Sequence, residues 1–397
     1  FLIENCIYGV DIQPIAIQIS KLRFFISLIV DQKIDKQKPN FGVRPLPNLE
    51  TKFVAANSLI GLDSTKRLKT QNVINLEKEL SDIRHRLFSA KTPKTKRNLR
   101  EEDERIREEL ENELIDSGWK NETAKQIACW DPYDQNQSSD FFDPEWMFDV
   151  GNGFDIVIGN PPYIKETTNK SVFRKLKNKK YYQGKMDIWY YFASVCIDII
   201  KQGKGILTFI ATNNWVTNSG ATKLRKKIIS ETRLIKFIDF SNFRVFESAG
   251  IQTMILMLKK QKAENYLVDF SKLKVSDIAF SELKKFLDSV EDERFEFYKS
   301  EFHFIDKRSK SICFLSKNTD HLINQIRSKK NFDLLDQEIN SGIDITQDFL
   351  KRNHLKILGE GYKIGQGVFV LNDNELKVLN LLDSEKRIIK PFFTTSE

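Results

Sequence analysis

Asn160, Pro161, Pro162 and Tyr163 stand directly after the apolar run FDIVIG. Two consecutive prolines remove two backbone donors and stiffen the chain. Placed after a strand, they leave rigid, unpaired carbonyls at its end. The Asn side chain adds a carbonyl acceptor and the Tyr a flat aromatic face. Such a set suits a planar base with an exocyclic amine: two acceptors take the amine hydrogens while the ring stacks on the tyrosine. The bland alternative is an Asn-Pro turn with a packed tyrosine. Its position after a strand, in an alternating α/β block, favours the chemical reading.

A second group of polar residues closes other strand-like runs. Asp11 ends CIYGVDI, with Ile12 next to it, and the pair Asn57-Ser58 falls in FVAANSLI. In open α/β sheets, ligands bind outside the carboxyl ends of strands, where these residues would lie. Phe246, in FRVFESAG, is one of 30 phenylalanines, so packing in the core competes with a role at the site. Asp187, in GKMDIWY, reads as the residue that fixes a helix start. The four cysteines, Cys6, Cys129, Cys196 and Cys313, make no CxxC pair, which argues against a zinc ribbon or a disulfide framework. With four histidines, no metal site is expected. This cysteine usage fits a reducing cytosol, so a cytoplasmic location is expected.

The elements that must position these residues alternate. CIYGVDI reads as a strand, and Pro14 then opens IAIQISKLRFFISLIV, whose apolar residues recur at helical spacing. FVAANSLI is a second strand. From Thr70 to Ser117 the chain is highly charged, with Leu76, Leu80, Ile83 and Leu87 on one face and Ile106, Leu110 and Leu114 on another. Pro93 breaks the pattern, which predicts an inserted helical hairpin. FDIVIGN reads as a buried strand, MDIWYYFASVCIDIIKQ as an amphipathic helix, and GILTFIAT, LIKFIDF and IQTMILMLKK as further strands, with TKLRKKIISET a helix between them. This alternation predicts an α/β sheet with helices on both faces. After Lys262 it is lost: SELKKFLDSV and LINQIRSKK read as charged helices, followed by the turns of GEGYKIGQGVFVL. No apolar run reaches the roughly 18–20 residues of a membrane span, so no membrane partner is expected.

Charge is concentrated. Residues 151–262 hold 20 Lys and Arg against 7 Asp and Glu, a balance of +13 in a chain whose net charge is +8, so the remainder is net acidic. A basic block inside a folded domain points to a polyanion, nucleic acid first, although a solvated lysine-rich surface has the same composition.

FDIVIGNPPYI resembles the signature of the gamma-class adenine-N6 DNA methyltransferases, in particular those of the Type IIG restriction–modification family. YGVDIQPIAIQISKLRFFISL resembles the family's second conserved strand and following helix, AANSL the next strand end, and GKMDIWYYF, GILTFIATNNW and FRVFESAGIQTMILML later family segments in the same order, across roughly residues 1–262. The resemblance implies a Rossmann-like, S-adenosylmethionine-dependent methyltransferase sheet, divided as residues 1–63 (core, first part), 64–130 (helical insertion), 131–262 (core with NPPY) and 263–397 (a linker and the beginning of a target-recognition domain). It implies transfer of a methyl group from S-adenosylmethionine to adenine N6 in double-stranded DNA, within a restriction–modification or related defence system. A nuclease domain or subunit is a further implied partner.

Carried over residue by residue, Asp11 would accept hydrogen bonds from the cofactor's ribose hydroxyls. Ile12 would pack beside its adenine, with Asn57 and Ser58 near the same edge. Asn160 and the carbonyl of Pro161 would hold the target amine on a loop stiffened by Pro162. Tyr163 would stack on the flipped base and Phe246 would form the opposite wall. The family's glycine-rich cofactor loop belongs before Asp11 and is absent there; GEGYKIGQG at 359–367 lacks the leading acid and Pro that would let it serve instead. At the other end, INSGIDITQ and EKRIIKPFF resemble the opening of a target-recognition domain. The expectation is an internal fragment, truncated at both ends and inactive by itself. The alternatives are a catalytically incomplete DNA-binding or scaffold module, and an RNA or protein methyltransferase using a similar loop.

Overall fold

The computed structural model describes residues 2–43, 47–62, 69–246, 251–302, 311–329, 350, 373–379 and 381–382. The segments GEGYKIGQGVFVL, INSGIDITQ and EKRIIKPFF lie outside the described residues. Two compact units divide the chain, Phe1–Leu322 and Ile323–Glu397. The described part of the second includes the end of helix α9 (Lys317–Ser328) and a short helix α10 (Asp373–Val378).

In the first unit, β1 (Gly9–Asp11) pairs in parallel with β2 (Phe53–Ala55), Asp11 standing opposite Ala55. Helix α1 (Pro14–Val30) connects them, with Pro14 in its first turn, where a missing N–H costs nothing. A six-stranded mixed sheet holds β3 (Ile156–Gly159), β4 (Ile206–Thr212), β5 (Arg233–Asp239), β6 (Thr253–Lys259), β7 (Leu267–Leu273) and β8 (Phe295–Glu301), in the order β3-β4-β6-β5-β7-β8. β6 runs antiparallel between β4 and β5, so β3, β4 and β5 share one direction and their carboxyl ends meet at one edge.

Three findings differ from the sequence reading. FDIVIG is not buried: Ile156 is 64% and Ile158 77% exposed, because among the described residues β3 is the end strand of its sheet and pairs with β4 alone. The sheet also continues past Lys262, where β7 and β8 form an antiparallel pair joined to β5. Their alternation is masked by charges such as Asp269, Lys272 and Glu296, which occupy the outward positions. Finally, helix α6 (Ile188–Ile199) does begin after Asp187, but the Asp187 side chain makes no capping bond.

Helices α2 (Gln71–Ser89) and α3 (Pro93–Asp116) form a hairpin between β2 and β3 in chain order. Thr70 Oγ1 accepts from Val73 N–H and Thr92 Oγ1 from Thr95 N–H, so each helix starts on a capped first turn. Leu80, Ile83 and Leu87 pack against Ile106, Leu110 and Leu114, all buried. Asp103 sits inside this core and accepts from Arg107 Nε at 2.8 Å, Arg84 Nε at 3.0 Å and the Tyr133 hydroxyl at 2.9 Å. Arg84 also donates to the Trp146 carbonyl at 3.0 Å, fastening the hairpin to helix α5 (Pro144–Phe148).

The main core lies between α6, helix α7 (Thr222–Glu231) and the large sheet, with Trp189, Trp215, Ile197, Leu207, Ile228 and Leu256 among its buried members. Gly220 allows the turn before α7 to press against the turn at Lys185 that leads to α6. A Cβ there would stand 2.1 Å from the Lys185 carbonyl oxygen, so any side chain would force the two segments apart.

Candidate active site

Asn160 begins where β3 stops, one position after Gly159, which pairs with Phe209 of β4. The prolines that follow carry no N–H and cannot continue the ladder. The Ile210 carbonyl, one residue beyond that last pair, lies 3.1 Å from the Tyr163 hydroxyl. The same hydroxyl lies 2.8 Å from Asn160 Oδ1. Tyr163 is half-buried. Burial, reinforced by the negative charge of Asp187, pushes its phenol up to about 12, so the hydroxyl keeps its proton near neutrality.

Phe246 faces Tyr163 with 6.4 Å between ring centroids and 56° between ring planes. A base stacked between two parallel rings needs about 7 Å, two contacts of about 3.5 Å each. The pair is spaced almost correctly for that and must turn toward parallel to accept one. Pro161 is buried, Pro162 and Asn160 are exposed.

At the same sheet edge, Thr212 ends β4 and Asp239 ends β5. Trp189 Nε1 donates to Thr212 Oγ1 at 2.8 Å, and the Tyr190 hydroxyl to Asn214 Oδ1 at 3.0 Å. Asn213 Nδ2 reaches Asp239 Oδ1 at 3.2 Å. These contacts hold the TNNW turn beside the NPPY loop. The sequence signal was a run of amides at a strand end, to which the sequence reading gave no role.

Asp187 occupies the floor behind the loop. Its main chain bridges to Lys165, and the following N–H, that of Ile188, is taken by the Ile164 carbonyl at 2.9 Å. Both carboxylate oxygens are buried without a hydrogen-bond partner. Burial raises its carboxyl to about 6, with the Lys165 charge and the nearby Ile188 N–H, whose well-formed bond goes to Ile164, acting in the opposite sense.

The second predicted group gathers at the ends of β1 and β2. The Asp11 carboxylate is exposed, and its Oδ1 accepts from Gln13 N–H at 2.7 Å, which turns the chain into α1. Ile12 beside it is 56% exposed. Asn57 Oδ1 accepts from Leu59 N–H at 3.2 Å, and Asn57 and Ser58 are half-buried. Asp11 thus presents an exposed hydrogen-bond acceptor next to the uncovered aliphatic side chain of Ile12. Among the described residues, no group of three or more His, Cys, Asp or Glu could hold a metal ion, and no helix is long and apolar enough to cross a membrane.

Eight of the 20 cations of the basic block lie between the loop and α6. Lys165, Lys170, Arg174, Lys175, Lys177, Lys179 and Lys180 are all exposed. Phe173 (0% exposed) and Leu176 (2%) anchor this segment in the main core, so the charges are carried on a fixed support.

Comparison with known proteins gives these residues a family. The model of the Eco57I restriction-modification methylase family matches residues 5–246. A protein of Methanocaldococcus jannaschii, named as a type II restriction enzyme and methyltransferase (RM.MjaORFECS2P), is 23% identical over 329 residues, covering 68% of this chain and 27% of its own. RM.Eco57I of Escherichia coli, a type II restriction enzyme and methyltransferase, is 30% identical over 162 residues, 39% of this chain and 14% of its own. The type II methyltransferase M.XhoI of Xanthomonas vasicola is 32% identical over 104 residues, 26% of this chain and 19% of its own. The chain thus spans between 14% and 27% of the length of these relatives. Among solved structures, the type IIG restriction endonuclease BpuSI aligns over 45% of this chain and 23% of its own at 15% identity, with a TM-score of 0.30. The match to residues 5–246 covers more than half of the sequence, and the chain belongs to the Eco57I restriction-modification methylase family.

Proposed function

We propose that the protein is a site-specific DNA methyltransferase of a restriction–modification system, moving a methyl group from S-adenosylmethionine to the N6 amine of adenine in duplex DNA. The observation that carries this reading is the meeting of Asn160 Oδ1, the Tyr163 ring and the Phe246 ring at the end of β3. An amide oxygen accepts one amine hydrogen, and the Pro161 carbonyl is the second acceptor. Tyr163 and Phe246 stack on the two faces of a base taken out of the helix. Holding both amine hydrogens turns the nitrogen lone pair out of conjugation with the ring and toward an electrophile.

No covalent intermediate is required, so positioning and exclusion of water supply the rate. Asp11 would hold the ribose hydroxyls of the cofactor, with Ile12, Asn57 and Ser58 around its adenine. When bound, the cofactor supplies an electrophilic methyl group on a sulfonium. We read β1, β2 and the large sheet with its reversed strand β6 as a Rossmann-like methyltransferase core, and the hairpin α2–α3 as an insertion into it. The exposed cations of 165–180 would meet the phosphates of the duplex. Relatives named as both restriction enzyme and methyltransferase support a nuclease in the same system.

Incubating the full-length protein that carries this chain, extended upstream of Phe1 so that the cofactor loop is supplied, with unmethylated genomic DNA and isotopically labelled S-adenosylmethionine, then analysing the nucleosides by mass spectrometry, tests the reading. Labelled N6-methyladenine is the expected product. N4-methylcytosine in its place would transfer the clamp to another amine, and no labelled nucleoside would overturn the reading.

A further inference from the structure

The Tyr163 hydroxyl stands within hydrogen-bond range of two acceptors, Asn160 Oδ1 at 2.8 Å and the Ile210 carbonyl at 3.1 Å. A phenol has one hydrogen, so it serves one of them fully at a time. Asn160 Oδ1 is also the atom that an incoming amine needs. We propose that the Tyr163 hydroxyl is a placeholder for the target amine: it caps Asn160 Oδ1 in the empty site and turns its O–H to the Ile210 carbonyl when an amine arrives.

This rests on the reading of Asn160 as an amine acceptor. The hand-over turns only the C–O torsion of the phenol and leaves the ring where it is. Tyr163 donates one hydrogen bond before and after, so base entry strands no O–H away from water. Ile210 is a suitable second acceptor because it lies just past the last residue of β4 paired with β3, beside prolines that have no N–H to offer.

The device has a consequence for selectivity. A base without an exocyclic amine, once seated, excludes water from Asn160. With tyrosine in place, the hydroxyl stays on Asn160 Oδ1 and the acceptor remains satisfied. With phenylalanine, the acceptor is covered with no donor at all, and the cost of a buried unsatisfied oxygen falls on the amine-free base alone. Removing the hydroxyl therefore sharpens discrimination for the amine.

The test uses duplexes carrying the site at which the protein methylates DNA, with either adenine or purine (the same ring without the amine) at the target position. Affinities are measured by fluorescence anisotropy for the native protein, Tyr163→Phe, Asn160→Ala and the double variant. The adenine-to-purine affinity ratio should rise about tenfold in Tyr163→Phe. With Asn160→Ala in the background, removing the hydroxyl should leave the ratio unchanged. Preference for adenine that Tyr163→Phe does not alter would overturn the placeholder and leave the amine clamp standing. A rise that persists in the Asn160→Ala background would also overturn it, since the hydroxyl would then act by another route. No preference for adenine in the native protein would overturn the clamp and the placeholder together.

Discussion

Asp187 stands across an antiparallel bridge from Lys165, yet its carboxylate, in a residue 2% exposed, has no hydrogen-bond partner on either oxygen. Lys165 is exposed and turned to solvent, and the Tyr163 and Tyr190 phenols, the other titratable groups that feel this charge, are kept protonated by burial. The carboxyl is raised to about 6, chiefly by desolvation.

The sign of the pH dependence follows. A carboxyl whose folded pKa lies above its unfolded value holds its proton more tightly in the folded state. It therefore costs stability progressively as pH rises from about 4 to about 6, and the full cost persists above that. Replacing Asp187 with Asn should stabilise the fold at pH 7.5, by at most about 3 kcal/mol. The gain should vanish toward pH 4. Urea unfolding of both proteins between pH 4 and 8 measures it, and a gain independent of pH would contradict the assignment to this carboxyl.

The stacking role of Tyr163 separates ring from hydroxyl. Tyr163→Ala should weaken extrusion of the target base by about 1–3 kcal/mol, the worth of one base–aromatic stack. Tyr163→Phe should retain most of it. With 2-aminopurine at the target position, the fluorescence gain on binding should be lost in the Ala variant and kept in the Phe variant. Equal gains would contradict the stack.

The basic segment predicts a salt dependence. Arg174, Lys177 and Lys179 are exposed on a strip pinned by Phe173 and Leu176. Each phosphate contact contributes a slope of about −0.9 in log K against log salt. Reversing these three charges should flatten the slope by about 2 to 3. A slope that does not change would remove the segment from the phosphate-contacting surface.

Within the α2–α3 hairpin, Asp103 holds Arg107 and Arg84 in a buried network. Asp103→Ala leaves two guanidinium groups without their counter-charge, and breaking a buried pair in this way costs about 3–5 kcal/mol. Thermal unfolding should show a large loss, and a shift of less than about 1 kcal/mol would mean that the arginines find other partners.

Much of this was legible in the residues, for physical reasons that differ from place to place. The hairpin announced itself because Leu80, Ile83 and Leu87 repeat at helical spacing among charges and Pro93 breaks the pattern, whereas the caps at Thr70 and Thr92 emerge only in the structure. The NPPY loop was legible because proline chemistry is local. Tyr163 meeting Phe246, 83 positions later by number, was implied by family resemblance and not by any pattern in the chain. Apolar composition misplaced β3 in the interior: Ile156 and Ile158 have the hydrophobicity of core residues, but burial depends on which strands flank them. Asp187 was read as a cap because an acid before a helix usually is one. The competing bond from Ile188 N–H to the Ile164 carbonyl arises only in three dimensions.

The central claim is that Asn160 holds the amine of adenine for methyl transfer. Asn160→Ala should lower methylation of unmethylated DNA by about 100-fold or more, in line with the loss of a preorganised polar contact worth about 3 kcal/mol, while affinity for S-adenosylmethionine measured by calorimetry stays within a factor of about two to three of the native value. The decisive measurement is the rate at which labelled N6-methyladenine forms in native and Asn160→Ala reactions run side by side. With both proteins extended upstream to include the cofactor loop, product is expected from the native protein and almost none from the variant. Equal rates from the two proteins would contradict it.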